Sequence, residues 1–152
     1  NFGSFEIDIY GDYVNLEYKE NMAQRIKSSG LNDSIIFKGF KKFKDINVSE
    51  YSVYIHTSKT PEPFGRTIIE NMVAGIPVCA TSMGGVLDII NHKDNGILYN
   101  HKNYKELVPL LLELKSNNEF KNKLIFNAKK TISEKFSGDM QIKIIEEIYE
   151  GI

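Results

Sequence analysis

"PEPFGRTIIENMVAGIPV", residues 61–78, contains the passage from a loop into a helix and then into a strand. Two prolines disfavour helix before Phe64, whereas the residues after Gly65 are compatible with helix. We therefore predict that a helix begins near Gly65 to Thr67. The Gly-Ile-Pro break that follows, with an apolar run after it, is typical of a helix end before a buried strand.

Strand and helix patterns alternate along residues 5–100. Five short runs rich in β-branched and aromatic residues are predicted strands, at residues 5–10, 35–40, 53–57, 76–81 and 96–100. Helical patterns lie between them at residues 16–27, 66–74 and 86–91, with a short turn at 48–51. The connections are too long for hairpins and the strands are apolar on both faces. These patterns predict an α/β fold with a Rossmann-like parallel sheet and helices on both faces.

After Asn100 the pattern predicts helices alone, because apolar residues recur at spacings of three and four. The three helical segments span residues 104–116, 119–136 and 138–152. Their functional signal is weak, and we interpret them as packing and solvated faces of a helical C-terminal tail. The sequence contains no internal repeat, low-complexity tract or linker between domains.

Composition and charge exclude several classes of function. The 152 residues are 41% hydrophobic and 26% charged, which fits one globular domain. The formal net charge of -1 provides no global field for nucleic acid or anionic lipid. We interpret the lysine-rich residues 38–45 as a solvated loop near an anion. The single cysteine, Cys79, lies in an apolar run and is predicted to be a buried thiol without a disulfide.

The sequence contains no apolar stretch of transmembrane length and no signal segment, so we expect a cytoplasmic setting. The chain starts almost directly with a strand pattern. We therefore expect it to be a piece of a larger protein.

Glu62 and Glu70 flank the start of the predicted 66–74 helix. The first turn of a helix exposes N–H groups and carries about half a positive charge, which suits a phosphate, and Gly65 allows close approach. Glu70 lies roughly 6 to 8 Å along the helix at 1.5 Å per residue. Carboxylates accept hydrogen bonds from paired hydroxyls, so the order matches the sugar, diphosphate and ribose of a nucleotide sugar. From spacing alone, two solvated carboxylates are the alternative interpretation.

Other candidate residues stand where strand patterns end. Ligands bind beyond the carboxyl ends of parallel strands, so we predict Gly11, Gly39 and His56 at this edge. Gly84 and Gly85 are interpreted either as turn residues or as further ligand contacts. No spacing among the three histidines suits a metal, and the acidic residues at 6–8 lie inside a strand, so no metal site is predicted.

The stretch EPFGRTIIENMVAGIPVCATSMGGVLDIINHKDNGILY, residues 62–99, resembles the donor-binding core of the retaining GT-B-type glycosyltransferases of group 1. The shared features are a Glu, seven residues and a Glu, an Ala-Gly-hydrophobe-Pro-Val turn, a Gly-Gly loop and an Asn-Gly-hydrophobe-Leu strand. IDIYGD (7–12) and LNDSIIFKGF (31–40) also match, so the resemblance covers most of the chain. It implies that residues 1–152 are the C-terminal, donor-binding half of a GT-B fold.

The resemblance implies a hexosyltransferase-type enzyme of cell-surface polysaccharide biosynthesis in a bacterium. The enzyme would transfer a sugar from a nucleotide-diphosphate sugar, with retention, to an acceptor glycan, lipid or small molecule. It would need no cofactor and no metal, because positive groups assist departure of the diphosphate. Preorganised donors lower the barrier by stabilising the negative charge that grows there.

The resemblance also implies individual roles around the helix start. Glu62 would be the catalytic residue, facing the transferred sugar as a positioning and charge-stabilising group with the backbone of Phe64 and Gly65. The backbone at Gly65, Arg66 and Thr67 would bind the diphosphate.

Two further binding roles follow from the same resemblance. Glu70 would bind the ribose, while Gly39, Phe40 and Lys41 would lie near the base. Position 66 is commonly apolar in the family, and the Arg66 side chain either adds a cation for phosphate or points into solvent.

The chain also departs from the family pattern at its beginning. The family's donor domain starts with a strand and a helix that carry an Arg and a Lys for the phosphates, and this sequence starts after them. The N-terminal acceptor domain is also absent. We expect the fragment to bind the donor weakly and to transfer nothing. Acceptor binding, and any peripheral attachment to the inner face of the plasma membrane, would come through the missing half.

Two alternatives remain open from the sequence. One is a nucleotide-sugar epimerase or a glycan phosphorylase-like enzyme of similar architecture. The other is a non-catalytic nucleotide-binding or flavodoxin-like module.

Overall fold

A computed structural model describes residues 3–12, 15–138 and 142 of the chain. The chain divides into two compact units, one of residues 1–47 and one of residues 48–152. Both units consist of parallel strands connected by helices, which is the α/β class that the sequence predicts.

The first unit is one strand–helix–strand motif. Its elements are β1 (Ile7–Tyr10), α1 (Leu16–Ser28) and β2 (Ile35–Gly39). The two strands pair in parallel, with Tyr10 opposite Gly39 at their carboxyl ends. The helix begins where the side chain of Asn15 accepts a hydrogen bond from the amide of Tyr18 at 2.7 Å. It ends just before Gly30, whose φ of +66° few other residues adopt.

The second unit contains a three-stranded parallel sheet of order β3–β4–β5, with α-helices between and after its strands. Its elements are β3 (Tyr54–His56), α2 (Arg66–Ala74), β4 (Val78–Thr81), α3 (Val86–Ile89), β5 (Ile97–Tyr99), α4 (Leu107–Ser116) and α5 (Asn118–Lys135). The central strand β4 is buried along its whole length, which confirms the buried strand predicted after the Gly-Ile-Pro break. Burial of Cys79 in this strand is also confirmed, and it raises the pKa of the thiol to about 12.

Helices cover both faces of this sheet. Val78 and Ala80 of β4 pack in one hydrophobic cluster with residues of α2, α3 and α5. Cys79, between them, packs in a second cluster that includes Leu114 of α4 and Leu124 of α5. Because successive strand residues point to opposite faces, the two clusters lie on opposite sides of the sheet. This arrangement confirms the predicted helices on both faces.

A buried asparagine connects the turn before β5 to α5. The side chain of Asn95 is 1% exposed, and its amide nitrogen donates to the carbonyl of Ile89 and to the hydroxyl of Thr131, both at 3.0 Å. Its oxygen accepts from the amide of Asn91 at 2.7 Å. The buried amide group is therefore satisfied on both of its polar atoms.

The helices α4 and α5 confirm two of the three helical segments predicted after Asn100. The third, at residues 138–152, lies outside the described residues except for positions 138 and 142. The helix predicted at 86–91 ends earlier, at Ile89, because Ile90 has an extended conformation with φ of -106°. None of the helices among the described residues has the length and apolar character needed to cross a membrane.

Candidate functional site

Glu62 lies in the loop between β3 and α2, and both its side chain and its backbone are fixed. Carboxylate oxygen Oε1 accepts a hydrogen bond from the amide of Gly65 at 3.2 Å. The carbonyl of Glu62 accepts from the amide of Gly85 at 2.7 Å, and the residue forms an isolated parallel bridge with Gly84. The carboxylate is thus held beside the start of α2.

Gly84 and Gly85 bring the loop after β4 directly against this backbone. A Cβ atom at Gly84 would lie 2.5 Å from the carbonyl oxygen of Glu62, and one at Gly85 would lie 2.4 Å from that of Pro63. Neither distance is compatible with a side chain. The Gly-Gly pair is visible in the sequence, but its contact with the Glu62 loop was not predicted, because 22 positions separate Glu62 from Gly84.

The start of α2 presents free donors. Gly65 is buried with φ of +81°, and its carbonyl accepts from the amides of Ile68 and Ile69. The amides of Arg66 and Thr67 have no acceptor within the part of the chain that the structure describes. These two N–H groups, at the positive end of the helix, form a site suited to an anion. The predicted helix start is confirmed.

Glu70 lies one turn further along α2 and contacts Arg66. The Nε atom of Arg66 donates to Oε1 of Glu70 at 3.0 Å, while the arginine side chain is 85% exposed and the glutamate side chain 24% exposed. The Arg66 side chain therefore lies largely in solvent, as one of the two sequence interpretations has it, and its pairing with Glu70 was not predicted. The second oxygen of Glu70 accepts no hydrogen bond from the described residues.

His56 ends strand β3 and faces the other oxygen of Glu62. Its Nε2 atom lies 3.6 Å from Glu62 Oε2, slightly beyond hydrogen-bond length, and its side chain is 12% exposed. Burial lowers the pKa of His56, and the carboxylate of Glu62 opposes that shift only in part. The hydroxyl of Tyr99 donates to the carbonyl of His56 at 2.9 Å, which fixes the end of the strand.

Tyr54 connects β3 to the first turn of α2. Its hydroxyl donates to Oγ1 of Thr67 at 2.9 Å. Burial raises the pKa of Tyr54, the hydrogen bond to Thr67 acts against it, and the charges of Glu62 and Glu70 add to the rise. Both carboxylates thus act on the same phenol, beside the first turn of α2.

The residues predicted near a base lie in the first unit. The amide of Gly11 donates to the carbonyl of Gly39 at 3.0 Å, so the carboxyl ends of β1 and β2 are adjacent. Phe40 is 66% exposed. Together with Lys41 and Lys44 it lines an open pocket with a volume of about 480 Å³. The structure thus brings Gly11, Gly39, Phe40 and Lys41 to one end of this two-stranded sheet.

A larger cavity of about 860 Å³ lies at β5 in the second unit. Its lining includes Ser82, Met83, His101 and Lys102, and none of the residues predicted for ligand binding. Across residues 3–12, 15–138 and 142 there is no group of three or more His, Cys, Asp or Glu side chains that could hold a metal ion.

Comparison with known proteins identifies the family. The family model described as "Glycosyl transferases group 1" matches residues 2–131. This chain belongs to the glycosyl transferases group 1 family. The resemblance to group 1 glycosyltransferases that the sequence motifs indicate is therefore confirmed.

Two similar proteins are much longer than this chain. It is 32% identical over 142 residues to an uncharacterized glycosyltransferase of Methanocaldococcus jannaschii, covering 88% of the chain and 34% of the relative. It is 26% identical over 132 residues to the N-acetyl-alpha-D-glucosaminyl L-malate synthase of Bacillus anthracis, covering 85% and 34%. The chain spans about a third of the length of these relatives.

Solved structures share the fold of this group 1 chain. The structure of Anabaena HepE in complex with UDP and glucose aligns with a TM-score of 0.86 and 27% identity, covering 97% of this chain and 41% of HepE. The structure of HepE in complex with UDP-glucose aligns with a TM-score of 0.85. The α/β fold matches that of GT-B glycosyltransferases.

Proposed function

We propose that this chain is the donor-binding domain of a glycosyltransferase that takes its sugar from a nucleotide-diphosphate sugar. The observation that carries the proposal is the placement of two carboxylates, Glu62 and Glu70, on either side of free amides at the start of α2. Family membership supports sugar transfer over the epimerase and flavodoxin-like alternatives. The UDP complexes of HepE support a uridine diphosphate sugar as the first donor to test.

Each part of the donor has a proposed partner. The diphosphate accepts hydrogen bonds from the amides of Arg66 and Thr67, with Gly65 allowing close approach to the backbone. The ribose hydroxyls donate to the free oxygen of Glu70, whose other oxygen is held by Arg66. The transferred sugar lies against Glu62.

The base has its proposed partners in the first unit. Exposed Phe40 supplies an apolar face, and Lys41 lies beside it. Gly39 and Gly11 close the adjacent strand ends without side chains. A planar base packs well on an exposed aromatic ring.

The proposed chemistry breaks the bond between the sugar's anomeric carbon and the diphosphate oxygen. The same carbon forms a new bond to the acceptor's hydroxyl oxygen, and the hydroxyl proton passes to the leaving diphosphate. Negative charge grows on the leaving diphosphate, and the positive end of α2 stabilises that charge without reorganisation. The Glu62 carboxylate orients the sugar and stabilises positive charge at the anomeric carbon. Retention of configuration and independence of a metal ion belong to this proposal; the motif resemblance and a phosphate site built from amides support them.

We also propose that the functional enzyme is longer than this chain. A preceding strand and helix would carry an Arg and a Lys for the phosphates, and an N-terminal domain would bind the acceptor glycan, lipid or small molecule. Among the described residues, β1 pairs with β2 alone, while Phe5 and Ile7 are 44% and 41% exposed, as expected if further chain covers them. A cytoplasmic enzyme of bacterial cell-surface polysaccharide biosynthesis, peripheral at the inner membrane face, fits this proposal.

Calorimetric titration with UDP and UDP-glucose tests the donor site. Glu70→Ala removes a charged acceptor for ribose hydroxyls and should weaken binding of both ligands by about tenfold or more. Glu134→Ala is the matched control, because Glu134 also forms an i,i+4 ion pair on a helix, with Lys130, and is absent from the proposed site. Equal affinity of the Glu70→Ala and Glu134→Ala variants, or tight flavin binding by both, would contradict the proposal.

A further inference from the structure

The imidazole of His56 lies between the end of β3 and the carboxylate of Glu62. Its side chain is 12% exposed, and Nε2 approaches Glu62 Oε2 to 3.6 Å. The Nδ1 atom is buried and has no hydrogen-bond partner among the described residues. Within the part of the chain that the structure describes, Nε2 is therefore the atom of this largely buried ring that faces another polar group, the carboxylate of Glu62.

The protonation of the ring follows from its surroundings. Burial lowers the pKa of His56, so the ring is neutral at pH 7 and carries one N–H group. An ionised carboxylate can only accept hydrogen bonds, so the N–H group belongs on Nε2, opposite Glu62 Oε2. The buried Nδ1 then carries a lone pair and no proton. An N–H group on Nδ1 would instead be a buried donor without an acceptor.

Both carboxylate oxygens of Glu62 have a polar neighbour. Oε1 accepts from the amide of Gly65 at 3.2 Å, and Oε2 faces His56. The hydroxyl of Tyr99 donates to the carbonyl of His56 at 2.9 Å, which fixes the backbone from which the imidazole extends. Hydrogen bonds of active sites are often long before the ligand binds and shorten afterwards.

We propose that His56 is a positioning residue: its Nε2–H group holds Oε2 of Glu62, so that the carboxylate meets the donor sugar in one orientation. This role rests on the proposed function of Glu62 as the sugar-facing residue. It differs from direct ligand binding at the sheet edge, because His56 acts through Glu62 and does not itself touch the donor.

Two amide substitutions distinguish the two ring nitrogens. The side-chain nitrogen of His56→Gln reaches the place of Nε2, whereas that of His56→Asn reaches only the place of Nδ1. We expect His56→Gln to keep the affinity of the parent chain for UDP-glucose. His56→Asn should bind UDP-glucose about threefold to tenfold more weakly. The affinity for UDP should be unchanged in both variants. The amide resonance of Gly65 should move in His56→Asn alone, because that amide donates to Glu62.

The outcomes separate this inference from the proposed function. If Glu62→Gln leaves the affinity for UDP-glucose unchanged, the proposed function of Glu62 fails, while the Gly65 resonance still decides whether His56 positions the carboxylate. Equal effects of His56→Gln and His56→Asn, or equal losses for UDP and UDP-glucose, would overturn the positioning role. His56→Met, which also lacks the donor, replaces His56→Asn if that variant does not fold.

Discussion

Two glycines of the second unit share a backbone conformation but have very different neighbours. Gly84 and Gly75 have φ of +61° and +79°, so alanine is strained at both positions. A Cβ at Gly84 would meet the backbone of Glu62 at 2.5 Å, whereas the atoms nearest to a Cβ at Gly75 belong to the flexible end of Lys129, at 3.1 Å. At the scale of single residues, alanine at Gly75 therefore tests backbone strain, whereas alanine at Gly84 adds a steric conflict with another backbone segment.

We expect Gly84→Ala to cost about 1 to 3 kcal/mol more unfolding free energy than Gly75→Ala, because the loop of Glu62 must move away. Urea unfolding monitored by circular dichroism measures both variants. Gly84→Ala should also weaken UDP-glucose binding, since it displaces Glu62. Equal stability of the two variants would show that the loop of Glu62 can move away from the loop of Gly84 without a cost in free energy.

At the scale of secondary-structure elements, one side-chain hydrogen bond joins strand β3 to helix α2. The hydroxyl of Tyr54 donates to Oγ1 of Thr67, in the helix turn that offers free amides. We expect Tyr54→Phe and Thr67→Val each to lower the unfolding free energy by about 1 kcal/mol. The double variant should cost less than the sum, with a coupling of about 0.5 kcal/mol or more in a double-mutant cycle. Additive losses would mean that the two hydroxyls act independently.

The three-stranded sheet also has a predictable response to alkaline pH. Burial raises the pKa of Cys79 on β4 from 9.0, and of Tyr99 on β5 from 10.0, to about 12 in each case. The unfolded chain therefore loses these protons before the folded chain does. Stability should be complete below pH 9 and should fall as pH rises towards 12.

Urea midpoints measured from pH 8 to pH 11 test this response. Each group contributes a slope of up to about 1.4 kcal/mol per pH unit. Cys79→Ala should reduce the loss of stability that starts near pH 9. Tyr99→Phe should reduce the further loss that starts near pH 10. If the urea midpoint falls as steeply with pH in both variants as in the parent chain, other groups cause the alkaline sensitivity.

Local signals explain how well the elements were predicted. The prolines before Phe64 and the glycine at position 75 mark the ends of α2, and its observed bounds equal the predicted 66–74. The placement of Glu62 and Glu70 around the helix start follows from the same signals. The contacts of Glu62 with Gly84 and His56, and the pairing of Arg66 with Glu70, depend on loop paths and side-chain rotamers that no local pattern specifies.

At the scale of the whole molecule, burial differs strongly between the two units. Every described residue with a fully buried side chain belongs to residues 48–138, and none belongs to residues 3–12 or 15–47. We expect the amides of β1, β2 and α1 to exchange with deuterium about 100-fold faster than those of β4, α2 and α5, because little apolar surface protects them. Exchange monitored by mass spectrometry measures the ratio. Equal protection in both units would contradict this expectation.

The same exchange measurement tests the proposed longer enzyme. If the enzyme is longer as proposed, a chain that includes its preceding strand and helix should show slower exchange in β1, with the amides of β4 as an internal reference. Phe5 and Ile7 would then lose their exposure. Unchanged exchange in β1 would remove the support that these two residues give to the proposal.

The buried amide of Asn95 has a chemical consequence for how the protein ages. Asparagine followed by glycine is the dipeptide most prone to deamidation, which requires the next backbone nitrogen to attack the side-chain carbonyl, and residue 96 is glycine. In the folded chain the contacts to Ile89, Asn91 and Thr131 hold that carboxamide away from such an attack. Damage at this position therefore accumulates in molecules that have unfolded, and the resulting carboxylate, lacking the two donors of the amide, would hinder their return to the native state.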